Sequence, residues 1–203
     1  SVLLGMMARY TEADVIVAIG TRLMDFTTGS WTVFGQDAKF ISINAARWDA
    51  TKHRALAVVG DARESVEELA AGLKGWKADA AWTAKGKDEM AQWNAALDGY
   101  QKPSNAPVPT YAQIVGVVNA KASERDYALT ASGGGPGEMM KNWRVKSANS
   151  FDVEFGFSCM GYEIAGGWGA AMADPTRETF VMVGDGAYMM MNSDIYSSVL
   201  AGH

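Results

Sequence analysis

The tripeptide Gly184-Asp185-Gly186 stands between the apolar run from Thr179 to Val183 and the run from Ala187 to Asn192. A lone carboxylate between two glycines, placed where a buried strand leaves its sheet, offers a hard oxygen to a divalent cation such as Mg²⁺. The glycines let backbone come close to a phosphate. The carboxyl ends of strands are also where open α/β folds take their ligands. Two readings are open at this point: a metal-bridged diphosphate site, or an Asp-Gly hairpin turn between two strands.

Two further blocks bear on the choice. From Phe151 the chain runs through an aromatic-rich irregular segment to Cys159, Met160 and Gly161, then into a stretch rich in glycine and alanine that ends at Ala173. Glycine costs a helix about 1 kcal/mol relative to alanine. Gly166, Gly167 and Gly169 in one predicted helix therefore point to close approach of neighbouring backbone. Met160 lies 25 positions before Asp185. Earlier, Ser132-Gly133-Gly134-Gly135-Pro136-Gly137 follows the predicted strand Tyr127 to Thr130. Consecutive backbone N–H groups and a helix starting near Pro136 would form an anion nest there, and a flexible loop is the competing reading.

With these residues in view, the chain resembles the thiamine-diphosphate-dependent enzymes related to acetolactate synthase. The stretches Ser158 to Glu163, Ile19 to Gly29 and Asn192 to Ser197 look most like the branch that opens a cyclic trihydroxycyclohexane-dione in myo-inositol breakdown. The resemblance implies thiamine diphosphate and Mg²⁺ as cofactors. It assigns Met160 to the support under the bent cofactor and Asp185 to the metal. Cofactor contact is assigned to Gly134, Gly135, Met160, Gly161, Gly184, Asp185, Gly186 and Ala187. It further implies a small-molecule substrate, a homodimer or homotetramer, and hydrolytic ring cleavage of a cyclic 1,2-dione to a deoxy-uronic acid. A carboligase or 2-oxo acid decarboxylase would share the same cofactor residues, and a non-catalytic domain is the third reading. In the family the activating glutamate lies in a domain expected before Ser1, and a second metal ligand is expected beyond His203. No catalytic residue can therefore be assigned within this sequence, which reads as an internal fragment, inactive by itself.

Composition narrows the classes. With 48% hydrophobic and 20% charged residues over 203 positions, the chain has enough apolar material for one or two real cores. A formal charge of −5, without any Lys/Arg run, argues against a nucleic-acid backbone as partner. The single cysteine, Cys159, cannot form an internal disulfide and reads as a small buried apolar residue. Ser1 to Met7 is too short and lacks the basic leader of a signal peptide, and no stretch approaches the roughly 20 apolar residues of a membrane span. The expectation is a cytoplasmic protein without membrane association.

The elements that must position these groups follow an α/β pattern. Ala13 to Ile19, Lys39 to Ile43 and Ala55 to Val59 read as strands of a parallel sheet covered on both faces. Asp61 reads as the N-cap of a helix whose Val66, Leu69, Ala70 and Leu73 share a face. The turn after the first strand lacks the Gly-x-Gly-x-x-Gly spacing of a dinucleotide site, so FAD or NAD is not expected. Thr27-Thr28-Gly29-Ser30 is open between anion contact and an ordinary polar turn. Residues 1–75 are therefore expected to be the C-terminal portion of a doubly wound central domain. Residues 76–109 form a connecting helix with a linker containing Pro103, Pro107 and Pro109. Residues 110–203 form the N-terminal portion of a diphosphate-binding parallel-sheet domain. In that portion Thr110 with Gln113 should box the helix from Tyr111 to Lys121, and Asn192 and Ser193 should cap a last helix ending at Leu200.

Overall fold

Strands that pair in parallel and are joined through helices build both halves of the chain, and the fold is α/β. The computed structural model describes residues 10–131, 133–154 and 156–203. Two units separate, Ser1–Ala96 and Leu97–His203.

In the first unit β1 (Val15–Ile19), β2 (Lys39–Asn44) and β3 (Leu56–Val59) lie in the order β1-β2-β3, all parallel. The short helices α1 (Asp25–Thr28) and α2 (Arg47–Ala50) fall in the connections, and α3 (Ala62–Gly72) follows β3. Asn44 ties the carboxyl ends of β1 and β2 together. Its side-chain amide donates to Thr21 O at 3.1 Å, and its Oδ1 accepts from Ala46 N at 2.9 Å. Asp61 caps α3 by accepting from the backbone N–H groups of Arg63 and Glu64, an arrangement worth about 1 kcal/mol. The expected covering on both faces is not seen among the described residues. Every residue of β3 is exposed, and so are Val66, Leu69 and Leu73 on α3. The apolar pattern specified the strands and the helix, and α2 and α3 do pack against the sheet, but these side chains stay exposed among the described residues.

The helix α4 (Ala80–Gln101) runs across the division between the units and is followed by an irregular stretch containing all three prolines of the predicted linker. In the second unit α5 (Tyr111–Lys121) opens with the predicted capping box: Thr110 Oγ1 accepts from Gln113 N, and Gln113 Oε1 accepts from Thr110 N. Next come β4 (Tyr127–Thr130), α6 (Gly134–Asn142), β5 (Phe151–Val153), α7 (Tyr162–Ala173), β6 (Thr179–Met182), α8 (Asp185–Met191) and α9 (Ser193–Leu200). The sheet order is β5-β4-β6, again all parallel.

Side chains alternate across this sheet as strand geometry requires. Ala128 faces a core with Val115 of α5 and Met139 of α6, flanked by Phe151, Phe180 and Met182. Leu129 and Val181 point to the other face, where α7 lies. The helix approaches so closely that a Cβ on Gly167 would stand 2.5 Å from Val181 Cγ2, and one on Gly166 would stand 3.2 Å from Leu129 Cδ2. The helix-weakening glycines of α7 are thus the residues that let it seat on β4 and β6.

Candidate functional site

The order β5-β4-β6 has a direct consequence for ligand binding. The chain leaves β4 for β5 on one side, then passes through α7 to β6 on the other side of β4. The strand order reverses there, and the crevice beyond the carboxyl ends of β4 and β6 is the topological switch point at which open α/β sheets take ligands. Thr130 Oγ1 donates to Met182 O at 3.0 Å and locks the two strand ends side by side.

Both glycine blocks open onto this crevice. After β6, Gly184 is extended (φ −76°, ψ 157°) and Asp185 begins α8 directly. The segment is a strand-to-helix turn, and the hairpin reading is overturned. Asp185 is exposed; its Oδ1 accepts from Gly186 N at 2.9 Å, and Oδ2 has no hydrogen-bond partner among the described residues. Ala187 is buried, which leaves only its backbone to face a ligand. After β4, Gly133 adopts φ +137°, a conformation that L side chains rarely reach, and α6 begins at Gly134, two residues before the expected start. The first four N–H groups of a helix have no intrahelical partner. These belong to Gly133 through Pro136; Pro136 has none to offer and Gly137 N makes the first helix bond, to Gly133 O at 2.9 Å, so Gly134 and Gly135 present two of those that remain. Ser132 lies outside the described residues.

Met160 reaches the same place from the segment before α7. A methyl group on Gly186 would stand 3.4 Å from Met160 Cε. Gly161 next to it has φ +94°, and a Cβ there would overlap Met191 Cγ of α8. Met160 itself is half exposed. The residues predicted from two separate motifs thus meet: Met160 and Gly161 on one side, Gly186 and Met191 on the other.

Several expectations are corrected. Cys159 is exposed, because it sits in an irregular segment held by polar bonds rather than packed in a core. The run Met189-Met190-Met191 reads from sequence as core and packing against the cofactor, yet Met189 and Met190 are exposed and only Met191 packs, against Gly161. Asn192 caps α9 in αR geometry without a side-chain bond, since α8 runs almost straight into α9. Of the two readings left open for Thr27-Thr28-Gly29-Ser30, the polar turn is the one seen at Thr28, which is buried with its hydroxyl donating to Met24 O and accepting from Trp31 N.

Sequence reasoning missed two carboxylates. Glu154 shapes the approach to Met160: Oε1 accepts from Phe157 N at 2.8 Å and Oε2 from Cys159 N at 2.7 Å. The signal available was an acid followed within four residues by glycine and serine, a setting in which side chains commonly replace backbone hydrogen bonds. Glu163 has the place of an acid that from sequence reads as ordinary dipole stabilisation near a helix N-terminus, but it is fully buried. Its Oε2 accepts from Gly161 N at 3.0 Å. Nearby, Tyr162 OH donates to Asp152 Oδ2 at 2.9 Å and ties the start of α7 to β5. That bond, with burial and the Asp152 charge, pushes the Tyr162 phenol up to about 12.

Among the described residues no group of three or more His, Cys, Asp or Glu is gathered to hold a metal. No helix there is long and apolar enough to cross a membrane. A separate cavity of about 780 Å³ lies in the first unit, lined by Trp31, Phe34, Lys39, Phe40, His53 and Leu56 among others. It borders the amino ends of β2 and β3, opposite the edge at which such sheets bind ligands.

The comparisons with known proteins agree with this geometry. Residues 5–69 match the thiamine pyrophosphate enzyme central domain, and residues 133–202 match the thiamine pyrophosphate enzyme C-terminal TPP binding domain. The chain is similar to 3D-(3,5/4)-trihydroxycyclohexane-1,2-dione hydrolases of Clostridium botulinum (strain Alaska E43 / Type E3), at 30% identity, and of Bacillus cereus (strain AH820) and Bacillus thuringiensis (strain Al Hakam), each at 31%. These alignments take in 93% of this chain and 33% of each relative, so the chain spans about a third of the length of the relatives it matches. Matched over more than half of its length by two domains of one family, with both glycine segments of its second unit at a single sheet switch point, the chain belongs to the thiamine pyrophosphate enzymes.

Proposed function

We propose that this chain contributes the diphosphate-binding side of a thiamine-diphosphate- and Mg²⁺-dependent hydrolase that cleaves a C–C bond in the ring of a cyclic 1,2-dione, trihydroxycyclohexane-dione, in inositol breakdown. The observation that carries the cofactor part is the meeting of Met160 with Gly186 beyond the switch point of the β5-β4-β6 sheet. The substrate part rests on the names of the relatives and is the finer step.

The residues fit the group. Gly186 gives a surface that a Cβ would fill, and Met160 supplies an apolar shelf beside it. Gly134 and Gly135 present backbone donors suited to phosphate oxygens. Asp185 is negative, so a diphosphate beside it would be repelled unless a cation lies between them. Mg²⁺ suits that place, since it is commonly held by one or two carboxylates together with phosphate oxygens and water. When bound, thiamine diphosphate supplies a nucleophilic carbon that can add to a carbonyl. The chain's own part is to anchor the diphosphate at the two glycine segments, hold the metal at Asp185, and fix the cofactor's shape against Met160, so that orientation is set before reaction. The same reading makes the protein a cytoplasmic homodimer or homotetramer acting on a small molecule.

The test is a mass-balance assay of the complete protein with thiamine diphosphate and Mg²⁺, offered the cyclic dione and, separately, pyruvate. Ring-opened acid from the dione, with no CO₂ from pyruvate, is the expected result. CO₂ or a carboligation product from pyruvate would move the assignment to a decarboxylase or synthase, and turnover of neither would defeat the hydrolase reading.

A further inference from the structure

Glu163 is an unusual residue to find where it is. It stands in the first turn of α7, its side chain has 0% exposure, and one of its oxygens, Oε1, is buried without a hydrogen-bond partner among the described residues. Removing a carboxyl group from water is costly unless its hydrogen bonds are replaced, and an apolar side chain of similar volume would fill the space more cheaply. Helix-dipole stabilisation does not account for the burial, because an exposed acid one turn from a helix start obtains it without desolvation. What the carboxylate does instead is local and specific. Oε2 accepts the N–H of Gly161, the left-handed residue directly after Met160.

That turn has little freedom. Gly161 cannot carry a Cβ, because Met191 of α8 occupies the space, and α8 begins at Asp185 with Gly186 against Met160. The position of Met160 relative to the Gly184–Gly186 segment is therefore set by the conformation of Gly161. The single hydrogen bond to the Gly161 N–H comes from a group buried in the unit and anchored on α7.

We propose that Glu163 is a positioning residue of the cofactor site: its buried carboxylate clamps the Met160–Gly161 turn and so holds Met160 in register with Gly186. The inference rests on the thiamine-diphosphate reading only for its effect on the cofactor. The clamp itself is a property of this chain. Glu163 touches no reacting atom in this account and acts through Met160.

Three variants of the complete protein separate the clamp from general stability. Glu163→Gln keeps a carbonyl oxygen at the same reach. Glu163→Asp keeps the carboxyl group but withdraws it by one methylene. Glu163→Leu removes the acceptor. The first readout is amide hydrogen exchange at Gly161 without cofactor. We expect the Asp and Leu variants to exchange at least tenfold faster there than the parent, with the rest of α7 unchanged and the Gln variant close to the parent. The second readout is exchange of the C2 proton of bound thiamine diphosphate, expected to slow at least tenfold in the Asp variant while cofactor affinity changes less than threefold. If the Leu variant does not fold, the Asp and Gln pair gives the same contrast. Unchanged Gly161 exchange in the Asp variant, or a uniform rise across all of α7, would overturn the clamp. Faster Gly161 exchange in a parent-like protein that binds no thiamine diphosphate would leave the clamp standing and refute the cofactor reading.

Discussion

Met160 and Gly186, 26 positions apart in the sequence, lie side by side: a methyl group added to Gly186 would meet Met160 Cε at 3.4 Å. The contact joins the segment before α7 to the first turn of α8, and it stands at the edge of the sheet where β4 and β6 end. An apolar shelf and an acid-bearing glycine turn are thereby held in one place by the fold rather than by sequence proximity.

Met160→Ala should separate support from anchoring. Met160 is 50% exposed, so its truncation removes little buried area, and the expected loss of folding stability is about 1 kcal/mol or less. Exchange of the cofactor's C2 proton should fall at least tenfold, because geometry is lost while the diphosphate anchor survives. Denaturant melts and proton-exchange rates on the same samples check both halves. A large stability loss with unchanged exchange would make Met160 a packing residue.

Gly167→Ala tests the seating of α7 on the sheet. The new methyl would stand 2.5 Å from Val181 Cγ2, and overpacking of this kind costs about 1–3 kcal/mol, against which the better helix propensity of alanine offsets about 1 kcal/mol. A net loss on the order of 1 kcal/mol is expected in urea unfolding. Gly169→Ala is the control: nothing lies within 4 Å of a Cβ there, and it should be neutral or stabilising.

Tyr162 links stability to alkaline pH. Its hydrogen bond to Asp152, then burial and the Asp152 charge, raise the folded phenol to about 12 from its ordinary 10. A raised value means that the contribution is complete below about pH 10 and disappears as pH climbs through about 12. Tyr162→Phe should therefore cost about 1–2 kcal/mol at pH 8. The parent should lose that margin between pH 10 and 12 while the variant does not. Chemical unfolding across that range reads the difference, and parallel curves for the two proteins would contradict it.

Much of this was legible in the sequence because it rests on local chemistry. The Thr110/Gln113 box, the Asp61 cap and the apolar strand runs each depend on neighbours a few residues away. The glycines of α7 were legible for the same reason, since their cost to a helix demands a packing cause. What could not be read depends on tertiary surroundings. Glu163 and an exposed acid at the start of a helix have the same sequence appearance, and only the tertiary packing around the start of α7 buries one of them. Cys159 failed in the opposite sense. Cysteine is commonly buried, but here Glu154 satisfies the backbone of its segment and holds it at the surface. The exposure of Met189 and Met190 has the same origin, for an apolar run on a short helix can turn only one side inward.

On the proposed function, the Gly184–Gly186 turn holds the diphosphate of thiamine diphosphate through a metal on Asp185. Calorimetric titration of the complete protein with thiamine diphosphate, with and without Mg²⁺, compares the parent with Asp185→Asn most directly. Binding should require Mg²⁺ in the parent and be weakened on the order of 100-fold in the variant, because the hard anionic ligand that suits Mg²⁺ is gone. Binding of equal strength in the two proteins, or in the parent with Mg²⁺ removed, would contradict it.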